Sequence, residues 1–157
     1  MTPCWRQVPA TTSKTEAAMI ATALDRIPMP PVAKLLGWRV ADARPQDGWI
    51  RIVFDGKQDF CNPAGFIQGG MLSSMLDDTM GPAAFIMTEG RLFTTTITMT
   101  VNFLAPARPG PITGEATVTQ LGKTIAFVEG RLTAADGTLL ATASSSIRLV
   151  EAARALR

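Results

Sequence analysis

Five residues inside a sixteen-residue span carry the chemistry this chain can offer: Asn62, Gln68, Gly69, Gly70 and Asp77. Asn62 and Gln68 are side-chain amides in a segment, Asn62-Pro-Ala-Gly-Phe-Ile-Gln68, that Pro and Gly punctuate as a loop. Gly69 and Gly70 follow and open a largely apolar run, Met71-Leu-Ser-Ser-Met-Leu, that reads as a helix. The first turn of a helix has backbone N–H groups without intrahelical partners and carries partial positive charge. It can therefore stabilise an oxyanion as it forms. Asp77, about two turns in, is a candidate base or nucleophile. The combination suits attack on an acyl carbonyl.

Spacing limits how these groups cooperate. Stepping by three or four from Asp77 gives Gly70, Ser73, Ser74, Gly81 and Ala84, a stripe of small residues. Another backbone could come close to such a stripe, and a carboxylate within it would be partly desolvated. Asp78 falls on a different stripe, with Met71, Met75 and Pro82. Gly69 and Asp77 lie roughly 12 Å apart along the helix axis, at about 1.5 Å per residue. They cannot touch one carbonyl carbon within one subunit. If both serve one substrate, the spacing predicts a two-fold homodimer in which Gly69 of one copy meets Asp77 of the other, with two composite sites.

Composition narrows the chemistry further. The chain has 157 residues, 46% hydrophobic and 18% charged, enough for one domain with one core. Its net charge is +2, and Lys and Arg are scattered, with no basic run suited to nucleic acid. It contains no histidine, which removes the commonest general base, the Ser-His and Cys-His nucleophile systems and most zinc sites. Cys4 and Cys61 are too few and too isolated for a disulfide framework, so a reducing, cytoplasmic setting is expected. The N-terminus lacks a basic-then-apolar signal pattern. Asp77 and Asp78 interrupt the longest apolar stretch, and no membrane span is predicted. Neither a metal nor a separate cofactor is expected.

The elements that must position these residues follow from punctuation and periodicity. Residues 1–31 read as an arm and a helix, Thr15 to about Arg26, stopped by Pro28, Pro30 and Pro31. Residues 32–157 read as a single domain. A short helical turn, Val32–Leu36, ends at Gly37, and two strands flank the Asp47-Gly48 turn signal. The main helix spans 69 to about 87, ended by Glu89-Gly90. Thr94–Phe103 alternates cleanly: Thr95, Ile97, Met99, Val101 and Phe103 fall on one face, and Thr96, Thr98, Thr100 and Asn102 on the other. Ile112–Leu121, Thr124–Thr133 and Leu139–Val150 follow as a three-stranded meander, turning at Gly122-Lys123 and Asp136-Gly137. One helix apolar over most of its circumference needs wide cover. The fold class expected is therefore α+β, a curved antiparallel sheet wrapped around one long central helix.

The central segment resembles the hotdog-fold acyl-CoA thioesterases, in particular the phenylacetate-degradation branch. That family's pattern is Asn, five residues, His-Gly-Gly, six residues, then Asp, continued by a Thr- or Ser-bearing strand ending in an aromatic and Pro, then Gly-Lys/Arg-Thr at a hairpin. Here stand Asn62, Gln68-Gly69-Gly70, Asp77, Thr96 ten residues before Pro106, and Gly122-Lys123-Thr124. The match spans roughly residues 33–150, and its departure is Gln68 in the place of His. Glutamine donates and accepts hydrogen bonds but cannot titrate.

The resemblance implies these roles. Asp77 attacks a thioester or activates water to do so. The Gly69 N–H holds the oxyanion. Gln68 and Asn62 orient the loop and the acyl carbonyl. Thr96 holds the water or Asp77, and the Gly122-Lys123-Thr124 turn meets a CoA phosphate. It implies an acyl-CoA substrate, CoA entering as part of it, and a homodimer that pairs into a dimer of dimers. The plainer readings are that Asn62 stabilises a turn before Pro63, that Thr96 is one β-prone threonine among several, and that Lys123 is a solvated turn residue. The loss of His also leaves open a hotdog protein that binds acyl-CoA or another small ligand without turnover.

Overall fold

The computed structural model describes residues 22–156. Most of the expected N-terminal arm and helix therefore lies outside the described residues. The described end of that helix is a 3₁₀ turn, Ala23–Arg26, with its own start signal: Thr22 and Asp25 form a reciprocal capping box. Pro31 opens α1, Pro31–Leu36, and Gly37 closes it in the left-handed conformation at φ 66°.

Six antiparallel strands form one sheet: β1 Arg39–Arg44, β2 Trp49–Gly56, β3 Leu92–Phe103, β4 Gly110–Leu121, β5 Ile125–Ala134 and β6 Leu139–Glu151. The spatial order is β1-β2-β4-β5-β6-β3. The meander β4-β5-β6 thus sits centrally, and β3 crosses over to become an edge strand. α2, Gly69–Met87, lies across the concave face, and a short α3, Ala152–Ala155, ends the described chain. This is the hotdog architecture. No helix among the described residues is long and apolar enough to cross a membrane.

The sheet can embrace the helix because its inner face is small. Gly114, Ala116, Ala126, Gly130, Ala141 and Ala143 line the central strands toward α2 and are buried. A Cβ added at Gly114 would lie 2.5 Å from Thr79 Oγ1, and one at Gly130 would lie 2.9 Å from Met80 Cγ, so these two glycines set the approach distance. Leu72, Met75, Leu76, Met80, Ala83 and Ile86 fill the space against Ile50, Ile52, Phe54, Ile112, Leu132 and Ile147. Each large side chain fully buried there contributes about 1.5–3 kcal/mol. The methionines of α2 are core, with Met75 and Met80 fully buried. Register shifts in four of the strand pairings bend and twist the sheet around the helix.

One of these shifts changes the face assignment of β3. Thr96 pairs with Ile147 and Thr98 with Ser146, which leaves Ile97 as an extra residue in a β-bulge. The alternation resets there. Residues Met99, Val101 and Phe103 keep the helix-side register expected of them, but before the bulge it is Thr94 and Thr96 that share the helix side. Ile97, expected on the buried face, is 52% exposed, and Phe103 is 53% exposed. A one-residue slip moves every side chain beyond it to the opposite face.

Candidate active site

The loop before α2 is built by Asn62. Its Oδ1 accepts hydrogen bonds from the Ala64 and Phe66 N–H groups at 3.0 and 3.2 Å. Its own N–H donates to Phe66 O, and Gly65 N–H donates to Asn62 O, with Gly65 at φ 80°. The turn stabilisation read from Asn62-Pro63 is therefore present, and it aims the chain at the helix start. Gln68 stands at the N-cap in extended conformation (φ −65°, ψ 140°), exposed and without a side-chain capping bond. Met71 and Leu72 donate to Gln68 O, the first turn of the ladder. Gly69 and Gly70 lie ahead of those donors, so their N–H groups are the ones a helix start leaves for a ligand. A Cβ at Gly70 would meet nothing within 4 Å, and one at Gly69 would meet the Phe103 ring at 3.1 Å.

These groups open on a cleft of about 380 Å³ lined by Asn62, Phe66, Gly69, Leu72, Phe103 and the run Leu104–Ala107. The Ile67 N–H donates to Ala107 O at 2.8 Å and fixes one wall against the other.

Asp77 is two turns along. Thr96 Oγ1 donates to Asp77 Oδ1 at 2.6 Å, and Thr94 lies beside Gly81 one turn further on. The bulge at Ile97 is what brings both threonines to this side of β3. The expectation that Asp77 is partly desolvated is not met within one protomer, where its side chain is exposed. The partly buried carboxylate of this helix is Asp78, which sequence reading did not single out. Its Oδ2 is buried without a hydrogen-bond partner. Burial first, and the charge of Asp77 second, push its pKa from 3.8 up to about 6.

Pro82 stands four residues on from Asp78. Proline lacks the N–H that would bond the Asp78 carbonyl. The indole N–H of Trp38 donates to that carbonyl instead, at 3.0 Å. Trp38 thus satisfies a polar group that the helix leaves open.

The structure brings Asp77 to Thr96, and Asn62, Gln68 and Gly69 to one loop, but keeps the two groups apart along α2. Gly122, Lys123 and Thr124 form an exposed hairpin at the opposite end from Gly69. There a second cleft, about 640 Å³, is lined by Met87, Thr88, Arg91, Leu121 and Glu151 among others. That hairpin cannot serve the Gly69 end of its own protomer.

Comparison with known proteins settles the family. The model of the thioesterase superfamily matches residues 64–141, the stretch from the Asn62 turn through β6's start. A phenylacetic acid degradation-related protein from Ralstonia eutropha JMP134 has 31% identity, with 80% of this chain and 95% of that one covered and a TM-score of 0.76. The chain belongs to the thioesterase superfamily. The chain is also similar to an esterase-named protein of Saccharolobus solfataricus, 36% identical over 90 residues. That match covers 57% of this chain and 64% of the relative, just under two thirds of its length. The Escherichia coli PaaI protein from the phenylacetic acid degradation operon shares the fold at 20% identity and a TM-score of 0.68, with 77% and 85% of the two chains covered.

Proposed function

We propose that this thioesterase-superfamily chain hydrolyses acyl-CoA thioesters to free acid and CoA at a site shared by two protomers. The observation that carries the reading is the Thr96–Asp77 hydrogen bond of 2.6 Å, which holds a solvent-facing carboxylate on the helix whose first turn offers unpartnered N–H groups. Asp77 attacks the thioester carbonyl, or takes a proton from a water that does. Gly69 N–H of the other protomer receives the developing oxyanion, a contribution worth about 10²–10³ in rate where such donors have been removed elsewhere. Asn62 shapes the loop and Gln68 stands at its end, facing the acyl carbonyl. Lys123 serves as a contact to a CoA phosphate. The leaving thiolate is that of CoA, which enters with the substrate.

Two features support the composite site. The helix-axis separation of Gly69 and Asp77, roughly 12 Å, exceeds what one carbonyl can bridge. β3 is an edge strand, and Ile97, Phe103 and Leu104 along or just after it are 52%, 53% and 56% exposed. An edge with this much exposed apolar surface favours pairing with a second copy. Phe127 and Ile125 on the outer sheet face, 50% and 39% exposed, support further pairing into a dimer of dimers. A reducing, cytoplasmic setting suits the two isolated cysteines.

A second reading, acyl-CoA binding without turnover, is favoured by Gln68, which cannot titrate where the family has His. One assay separates them: a panel of acyl-CoAs with detection of free thiol. Turnover is expected, reduced at least 100-fold in Asp77→Asn and Asp77→Ala and kept within about threefold in Asp78→Asn, as only the first carboxylate touches substrate. Intact turnover in Asp77→Asn would falsify the assignment. Binding without thiol release would favour the second reading.

A further inference from the structure

Many of the surface arginines already have polar partners. Arg39 pairs with Asp55, Arg44 with Asp47, and Arg51 and Arg131 share Glu115. Arg108 differs. No carboxylate among the described residues lies within ion-pair distance of it, and its guanidinium rests over the Phe66 ring, 5.0 Å from the centroid. Phe66 lines the cleft at the start of α2, as do Pro106 and Ala107 immediately before Arg108. The Ile67–Ala107 hydrogen bond ties this segment to the Asn62–Gly69 loop. The cation is therefore mounted on the rim of the cleft that ends at the Gly69 N–H.

Stacking on an aromatic uses the face of a guanidinium. The planar edge, with its fork of N–H donors, stays open for bidentate contact with an oxyanion such as a phosphate. The cleft wall itself carries no acidic side chain, so an anion approaching Arg108 along it meets no lining carboxylate. An unneutralised cation at the mouth and amide donors at the floor suit a substrate with a phosphate at one end of a neutral arm and a carbonyl at the other.

We infer that Arg108 is a specificity residue that binds a phosphate of the substrate's thiol carrier, with the phosphopantetheine arm lying over Phe66 and Phe103 toward Gly69. This rests on the thioesterase reading above. Both CoA and the phosphopantetheine arm of a carrier protein supply the required chemistry: a phosphate joined through an amide-bearing arm to a thioester.

The test compares wild type with Arg108→Gln and Arg108→Lys on one acyl group presented three ways: as acyl-CoA, as acyl-phosphopantetheine and as the phosphate-free N-acetylcysteamine thioester. Arg108→Gln is expected to raise KM for acyl-CoA about tenfold with kcat within twofold, the loss of a charge-assisted contact. KM for the N-acetylcysteamine thioester stays unchanged, and Arg108→Lys recovers part of the loss because it keeps charge but not the fork. An equal rise for acyl-phosphopantetheine assigns the contact to the phosphate both carriers share; a rise confined to acyl-CoA assigns it to the nucleotide phosphates. Unchanged KM on acyl-CoA, or equal losses on all three substrates, overturns the inference. Calorimetric titration with CoA itself, in wild type and Arg108→Gln, keeps the two readings apart. If no thioester is turned over, a tenfold weaker CoA affinity in the variant still supports the contact, and equal affinities refute it.

Discussion

Adjacent residues of an α-helix point about 100° apart, and Asp77 and Asp78 meet different surroundings through that angle. Asp77 turns toward β3 and is held by Thr96 in solvent. Asp78, whose backbone carbonyl accepts from Trp38, buries a side-chain oxygen without a partner. The consequence for stability has a definite sign. A carboxyl whose pKa rises from 3.8 to about 6 on folding keeps its proton between those values while the unfolded chain loses it. Stability contributed by this group is therefore complete below about pH 4 and falls as pH rises through 6. Glu115 works in the other direction and in a lower window. Burial alone would raise its pKa, but the hydrogen bonds from Arg51 and Arg131 outweigh that and hold it below the usual 4.5. Its contribution is present above pH 4.5 and is lost on acidification below it. The interval between about pH 4.5 and 6 thus isolates Asp78. Urea unfolding at pH 4.5 and 7.5 should show wild type losing stability across that interval and Asp78→Asn staying flat, with the variant the more stable at pH 7.5. A variant that tracks wild type at both pH values would mean that Asp78 ionises normally in the folded protein.

At the scale of elements, α2 carries a proline in its interior and still runs straight through to Met87. Pro82 removes one ladder bond, and Trp38, just before β1, replaces it. The two residues therefore form one unit with α2. Trp38→Phe in the wild-type background should cost about 2–4 kcal/mol, the lost packing plus an orphaned carbonyl. In a Pro82→Ala background the helix supplies its own N–H to that carbonyl, so the same substitution should cost about 1–2 kcal/mol less. Denaturant unfolding of the four proteins closes the cycle, and additive losses would mean that Trp38 acts by packing alone. The same element explains what the sequence could and could not reveal. Gly69 to Met87 was legible as a helix from its glycine start, its apolar circumference and the Glu89-Gly90 stop. The turns were legible from Asp47-Gly48 and Asp136-Gly137. The bulge at Ile97 was not, because unbroken alternation from Thr94 to Phe103 gives no sign of where an extra residue sits. That bulge decides which threonines face Asp77. The position of β3 beside β6 was also hidden, since it depends on long-range pairing. Arg108 lies in a Pro-rich connection whose course is fixed by long-range bonds, from Leu104 and Ala105 N–H to Leu140 O and from Ile67 N–H to Ala107 O.

At the scale of the whole molecule the question is whether one chain holds a complete site. A two-fold dimer makes a strong prediction, because each site takes Asp77 from one protomer and Gly69 from the other. Asp77→Asn removes the carboxylate. Gly69→Pro removes the N–H while keeping the helix: proline suits the first helical position, and Gln68 already has the extended conformation that a following proline requires. The Cβ of that proline meets the Phe103 ring at 3.1 Å, and that ring is half exposed. Each variant alone should be inactive. In a heterodimer of the two, one site carries both lesions and the other carries neither. Random mixing makes half the dimers heterodimers, each with one of two sites intact, so co-refolded protomers should recover about a quarter of wild-type turnover. Sedimentation should find the same dimer in all three preparations. If mixing restores nothing while the dimers form and exchange, each protomer must hold its own complete site. Gly69 would then have to be replaced as the oxyanion donor by a group within reach of Asp77 on the same chain, and no helix start lies there, since α2 is already two turns old at that point.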